Sequence, residues 1–326
     1  MDGGASKVDV ALVAGDGSVI AAARHPAYAN FNFGHEPPLE TLEQAIRRVA
    51  AAAGLPVDRR PLARVGVFCL AGADLPLDDR RIARQVKSGG WTDTLMLRND
   101  TFAVLRAGTD RGWGVGVVAG SGLNCAAVGP DGRVVRFPSL GELSGDFAHG
   151  GGWLGRAALG AALRARDGRG PHTSLETLVP AHFKVTRPSA VMEAVYTHEL
   201  DAHRLLELAP IVFSAAAAGD AVSRELIGMV ADEVVATAGA AIRRLHLTRR
   251  AFDVVLGGGL FRSADGMLMS RVRKGIHAMA PQASLRRLDP PPVLGAALIG
   301  LDAIRSGPAA RARLKSQLTE ARLRRG

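Results

Sequence analysis

Residues Gly114–Asp131 read GVGVVAGSGLNCAAVGPD, and the dipeptide Asn99-Asp100 lies just upstream. An apolar β-like run enters an Ala-Gly-Ser-Gly turn and leaves as a second apolar run. The stretch therefore predicts a strand–turn–strand hairpin with a hydroxyl at its bend. Turns of this kind offer backbone N–H groups to phosphate oxygens. Asp100, at a predicted helix start, reads as a base beside one half of a phosphate clamp.

Upstream, strands and helices alternate. Asp2-Gly3-Gly4-Ala5-Ser6-Lys7 is a glycine turn that leads into a strand, and a second strand follows Gly15-Asp16-Gly17 over Val19 to Ala23. An apolar strand should precede the first turn, yet the sequence opens at the turn itself. The expectation is a misassigned start or a lost central strand, with Met1 standing where that strand's last apolar residue belongs. Asn30-Phe31-Asn32-Phe33-Gly34 is a polar–aromatic loop, either an ordinary connection or one whose amides bind a polyol. A helix is predicted over Leu39–Ala53 after Pro37-Pro38, from the spacing of Leu42, Ile46, Val49 and Ala50. Arg64–Leu70 and Thr94–Leu97 read as strands, and Leu77–Lys87 and Thr101–Ala107 as helices.

Downstream, Arg133–Arg136 is a third strand of the hairpin sheet, followed by a glycine-rich loop over Gly141–Trp153. Helices are predicted at Leu154–Arg166, Ser174–Val179, Ala190–Thr197, Leu205–Ala218 and Ala221–Leu245. A strand at Phe252–Leu256 ends in Gly257-Gly258-Gly259. Helices Gly266–Met279 and Val293–Ile304 follow, and a basic, helical tail beyond Ser306 is expected to fray. The alternation specifies an α/β class. The 326 residues suit two domains, and two similar α/β halves are compatible with it.

Composition narrows the partners. The formal charge is +10, but the arginines scatter over predicted helix faces and the last fifteen residues, with no basic stripe interleaved with aromatics. Nucleic acid is therefore not an expected partner. Cys69 and Cys125 each sit in an apolar run without a CxxC partner, which fits free buried thiols in a reducing, cytoplasmic setting. The longest uncharged run, about Trp113–Pro130, carries five glycines and makes a poor membrane span. A GxxxxGK[ST] loop is absent, which excludes a P-loop NTPase. Gly114–Ala119 matches GxGxxA but lies within a strand rather than opening a helix.

Three glycine turns at strand ends, with an acidic residue between the first two, resemble the BadF/BadG/BcrA/BcrD ATPase family and, within it, its amino-sugar kinases. Asp2–Lys7 resembles the first phosphate motif, DGGGTKT, with Ala5 for the third glycine and Ser6 for the first threonine. Ala119–Cys125 resembles the second, with Ser121 in the threonine position. Leu256–Phe261 (LGGGLF) resembles the adenosine motif, and Pro292–Gly300 the helix that returns to the first domain.

The resemblance implies an α/β protein of two RNase H-like domains, the actin-like ATPase fold, with a nucleotide and sugar cleft between them. Residues 1–110, completed by 292–326, would form the first domain and 111–291, with a helical insertion, the second. It implies ATP and Mg²⁺ as cofactors and an amino sugar as the small-molecule partner, N-acetylglucosamine first and glucosamine or another hexose second. A homodimer is the expected assembly.

Asp100 matches the catalytic base, kept ionised by its helix N-terminus. Asp2 would orient Mg²⁺ through water. Gly4, Ser6, Lys7, Gly120, Ser121, Gly258 and Gly259 would hold nucleotide. Asn30, Asn99, Asp100, Gly141 and Asp146 would hold the sugar, and His149 stands near them. The loop departs from the family's GDEGS: here it is Gly145-Asp146-Phe147-Ala148-His149, preceded by Leu140-Gly141. That change bears on the sugar rather than on the ATP chemistry. Two other readings remain: an energy-coupling activator of the same family, and a binding module without catalysis.

Overall fold

The structure is a computed structural model, which describes residues 1–4, 7–26, 39–262 and 266–325. The first half runs β1 (Asp2–Gly3), β2 (Lys7–Val13), β3 (Val19–Pro26), α1 (Leu39–Ala52), β4 (Ala63–Leu70), α2 (Pro76–Ser88), β5 (Thr92–Arg98) and α3 (Asp100–Gly108). The second begins with β6 (Gly114–Ala119), β7 (Leu123–Val128) and β8 (Val134–Arg136). It continues through α4 (Gly151–Arg166), α5 (Leu175–His182), α6 (Pro188–Tyr196), α7 (Ala209–Ala217) and α8 (Ala221–Arg244). β9 (Phe252–Gly257), α9 (Gly259–Arg262), α10 (Gly266–Met279) and β10 (Ala283–Arg287) close it. The chain ends in α11 (Val293–Ala303), α12 (Pro308–Gln317) and α13 (Glu320–Leu323).

Two five-stranded sheets result, in the orders β3-β2-β1-β4-β5 and β10-β9-β6-β7-β8. Counted from each half's own first strand, both read 3-2-1-4-5, so the halves share one topology. In each, an antiparallel meander of three strands is extended by parallel pairing on the far side of its first strand. Parallel strands such as β9 are covered on both faces, and all six of its residues are buried.

Where a central strand was expected ahead of the first turn, Asp2–Gly3 form the two-residue β1 between β2 and β4. Asp2 pairs with Asp9 of β2 and Cys69 of β4, and Gly3 with Val8 and Leu70. The Met1 amine extends this pairing by donating to the Val67 carbonyl at 2.7 Å. Met1 itself is buried in the core that α1 closes with Leu42, Ile46 and Val49.

Two expectations are corrected. β10 was not anticipated: Ala-Ser-Leu-Arg-Arg is short and mostly polar, and pairing with β9 makes it an edge strand. The basic tail does not fray. Ala310, Leu314, Leu318 and Leu323 pack with Val19, Ala22 and the buried face of α11, which offsets the cost of ordering it. Arg106 of α3 reaches the same segment through Asp302 at 2.8 Å. Among the described residues no single helix is long and apolar enough to cross a membrane.

Helix α3 is wedged between the sheets. It packs on β4 on one side, on β6 and β9 on the other, and against α11 along its length. Two glycines set how close it comes. A Cβ on Gly116 of β6 would stand 2.8 Å from the Thr101 carbonyl oxygen, and one on Gly295 of α11 would overlap that of Ala103. Gly295→Ala should therefore lower stability by roughly 1–3 kcal/mol as α11 is pushed off α3. Thermal unfolding tests this, and a variant as stable as the parent would show that the two helices can part without cost.

Candidate active site

Asn99 leaves β5 in extended conformation and caps α3, its Oδ1 accepting from the Thr101 N–H at 3.0 Å and the Thr101 hydroxyl at 2.6 Å. That cap aims Asp100, the first residue of α3, into a cleft of about 490 Å³ between the sheets. The same cleft is lined by Asp2, Gly4 and Lys7 from the first turn and by Gly120, Ser121 and Gly122 from the second. Gly257, Gly258 and Gly259 of the third turn and Gly141 of the loop complete that wall. Three glycine turns 116 or more residues apart in pairs thus meet around one carboxylate.

The second turn is braced from behind. The first N–H groups of α4 donate to it, Gly151 to the Gly120 carbonyl and Gly152 to that of Ser121, each at 2.8 Å. Among the described residues the Ser121 hydroxyl makes no hydrogen bond, and Cβ atoms on Gly120, Gly122 and Gly259 would meet open space. Gly258 has φ +101°, and a Cβ there would overlap the Ala119 carbonyl. The third turn can therefore lie against the second only with glycine at this position. Open space beside these glycines, on a cleft that Ser121 also lines, leaves backbone N–H groups of the kind that phosphate oxygens can reach.

Other expected residues are engaged differently. Lys7 lines the cleft but pairs with Asp9 at 2.6 Å and with Glu320 of α13 at 3.7 Å. Arg24 joins the same cluster, at 2.6 Å from Asp9 and 2.9 Å from Glu320. Asn99 is 2 % exposed, so its amide acts through its neighbours rather than on the open cleft. Asp146 is not among the cleft-lining residues; Ser144 donates to its carboxylate and its own N–H to the Gly141 carbonyl. Ser6 and Asn30 lie outside the described residues.

Asp74, Arg156 and Asn124 also line the cleft and had not been singled out for a role. Asp74, on the loop after β4, accepts from the amides of Asn99 and of Asn124 in β7. Arg156 of α4 lies beside His149, at 3.4 Å between Nη2 and Nε2. Asn124 sits two residues past the Ser121 turn, inside a motif quoted above for its phosphate contacts alone.

The electrostatics correct one expectation. Asp100 is not held ionised by its helix N-terminus: burial pushes it up to about 8, with Asp2 and Asp74 adding to the rise, and the Thr101 and Asp100 N–H groups only partly offset this. Burial, then Asp9, brings Asp2 to about 7. Burial also brings Asp74 to about 7, against the pull of Asn124. Mg²⁺ keeps most of its water and takes one or two carboxylates plus phosphate oxygens. Among the described residues no group of three ligand-type side chains could hold a metal by itself. Asp2 on the cleft wall fits an ion that arrives with nucleotide.

The chain matches the BadF/BadG/BcrA/BcrD ATPase family over residues 1–300. It is 26 % identical to an N-acetylmuramic acid/N-acetylglucosamine kinase of Clostridium acetobutylicum over 230 residues, 70 % of this chain and 74 % of that one. It is 24 % identical to an N-acetyl-D-glucosamine kinase of Dictyostelium discoideum over 315 residues, 93 % and 97 % of the two chains. A solved structure from Chromobacterium violaceum, provisionally described as an N-acetylglucosamine kinase, superposes with a TM-score of 0.71 at 26 % identity, covering 91 % of this chain and 96 % of that one. The two matched sheets are those of the actin-like ATPase fold.

The raised carboxylates make a stability prediction. All three bind protons more tightly when folded than when unfolded, where carboxyls titrate near 3.8. Stability without ligand should therefore fall as pH rises from about 4 to about 8. Asp100→Asn removes one buried charge, so its Tm should match the parent's near pH 4 and exceed it by about 2–4 °C near pH 8. A variant less stable than the parent at pH 8 would contradict the cost of that buried charge. With these carboxylates and glycine turns gathered at one cleft and the match spanning nearly the whole chain, this protein belongs to the BadF/BadG/BcrA/BcrD ATPase family.

Proposed function

We propose that the chain is an ATP- and Mg²⁺-dependent kinase of an amino sugar, with N-acetylglucosamine as the first acceptor and glucosamine or another hexose as the second. The observation that carries this reading is the position of Asp100. It stands at the head of α3, in the same cleft as the three glycine turns and Asp2. The names of the matched relatives support the same acceptor class.

A sugar hydroxyl is a poor nucleophile, and an oriented carboxylate takes its proton as the phosphoryl group passes in line. Asp100 would hold that hydroxyl, with Asn99 fixing its helix and Gly141 and the Gly145-Asp146 loop bounding the sugar. The N–H groups of the turns at Gly4, Gly120 and Gly258–Gly259, with Ser121, Ser6 and Lys7, would cradle ATP. Mg²⁺ beside Asp2 would neutralise phosphate charge and, as a nearby cation, favour the ionised form of the cleft carboxylates. Asn30 and Asp146 are proposed to reach the sugar as residues 1–110 with 292–326 close upon 111–291, which would exclude water from the transfer. A cytoplasmic homodimer completes the reading.

The energy-coupling alternative would use cysteines to hold a cluster at a subunit boundary. Cys69 and Cys125 are instead buried inside the two sheets, and burial pushes both thiols up to about 12.

An ADP-release assay across amino sugars and hexoses tests the proposal. N-acetylglucosamine or a close analogue should release ADP stoichiometrically with sugar phosphate. Asp100→Asn should cut the rate by about 10²–10⁴-fold while ATP binding persists. Full activity in that variant would remove Asp100 as the base, and ADP release without sugar phosphate would favour the ATPase reading.

A further inference from the structure

One oxygen atom joins the two halves of the cleft. Asp74 lies on the short loop between β4 and α2, whose start is tied to β1 by the Ala71 N–H donating to Gly3 at 2.8 Å. Its Oδ1 accepts from Asn99 Nδ2 at 2.9 Å, on the first sheet's side, and from Asn124 Nδ2 at 2.8 Å, on the second's. Both amides are fixed at their other end. The Asn99 oxygen caps α3, and that of Asn124 accepts from the Ser139 hydroxyl at 2.8 Å and the Cys125 N–H at 2.7 Å. Neither amide can turn over without losing those bonds, so both must present N–H to Asp74. The loop is tied to the second sheet again by Arg136 of β8, which pairs with Asp79 and donates to the Ala73 carbonyl.

Asp74 Oδ2 has no hydrogen bond among the described residues, and the residue lines the cleft together with Asp100, Ser139 and Gly141. When ionised, a carboxylate oxygen in that setting can only accept, and the donors that a polyol brings are its hydroxyls. We propose that Asp74 is a specificity-determining residue of the acceptor site: Oδ2 accepts a ring hydroxyl of the amino sugar, while Oδ1 holds the two halves in register through Asn99 and Asn124. The assignment rests on the kinase reading above. It ties acceptor binding to the helix that carries the base, because the same carboxylate orders the Asn99 cap.

Two variants separate these roles. Asp74→Asn can keep the bridge by turning its oxygen toward the two asparagines, which leaves an NH₂ donor facing the cleft. Asp74→Ala loses both. In Asp74→Asn the acceptor KM should rise about 10- to 100-fold, the loss expected for a charge-assisted hydrogen bond, with the ATP KM within about twofold and Tm within about 2 °C. A panel of monodeoxy amino sugars identifies the hydroxyl. At one ring position the parent should lose at least about tenfold in kcat/KM, and Asp74→Ala should lose almost nothing further there.

Equal rises in both KM values, or deoxy penalties that persist at every position in Asp74→Ala, would overturn the assignment and leave Asp74 a structural tie. A parent protein that phosphorylates no sugar in the panel would instead overturn the kinase reading, and this assignment with it.

Discussion

Helix α3 is held between two sheets at van der Waals contact, and the cleft depends on that seat. Gly116 and Gly295 permit the approach, because any side chain at either position would strike the helix backbone. Its first turn buries Thr101 and Ala103 with Asn99 as the cap, so the direction of Asp100 follows from packing rather than from local propensity. The buried faces Val104 and Leu105 pack with Val255 of the second sheet, and Ala103 with Val67 and Cys69 of the first. A helix gripped from both halves reports any movement between them directly to the residue that would accept the proton.

That grip brings together groups that would otherwise avoid one another. Asp2, Asp74 and Asp100 share one cleft, and burial raises all three above the usual carboxylate range, with Asp9 adding to the rise at Asp2, Asp78 at Asp74, and Asp2 and Asp74 at Asp100. On the proposed function, counterweights for this charge would come with the ligands: a dication for Asp2, a hydroxyl donor for Asp100 and another for Asp74. A site built this way is least stable when empty at neutral pH and gains most from being filled.

Much of this was legible in the sequence because the turns carry their own signature. Glycine runs at strand ends around Gly120 and Gly258 announce tight turns with open backbone, and the strong apolar periodicity of β6, β7, β9 and α10 places them within a residue or two. What escaped has physical reasons. β10 is an edge strand of polar residues whose pairing comes from β9, not from its own composition. The tail beyond Ser306 looks like a charged, frayed end until its sparse leucines find the face of α11 and β3. Asp74 has no spacing signal at all, since the loop that holds it is positioned by contacts from two sheets. Its amide partners Asn99 and Asn124 could be read only as a cap and as part of a phosphate turn. The ionisation of Asp100 was misjudged because a helix N-terminus is visible in sequence, while desolvation and two distant carboxylates are not.

The central claim is that Asp100, aimed by α3, takes the proton of the acceptor hydroxyl. A crystal structure of the protein with N-acetylglucosamine, Mg²⁺ and a non-hydrolysable ATP analogue tests it most directly. The account predicts a sugar hydroxyl about 2.6–3.2 Å from the Asp100 carboxylate and in line with the γ-phosphate held at the Ser121 turn. A sugar bound with every hydroxyl beyond reach of Asp100, or a nucleotide bound away from the three glycine turns, would contradict it.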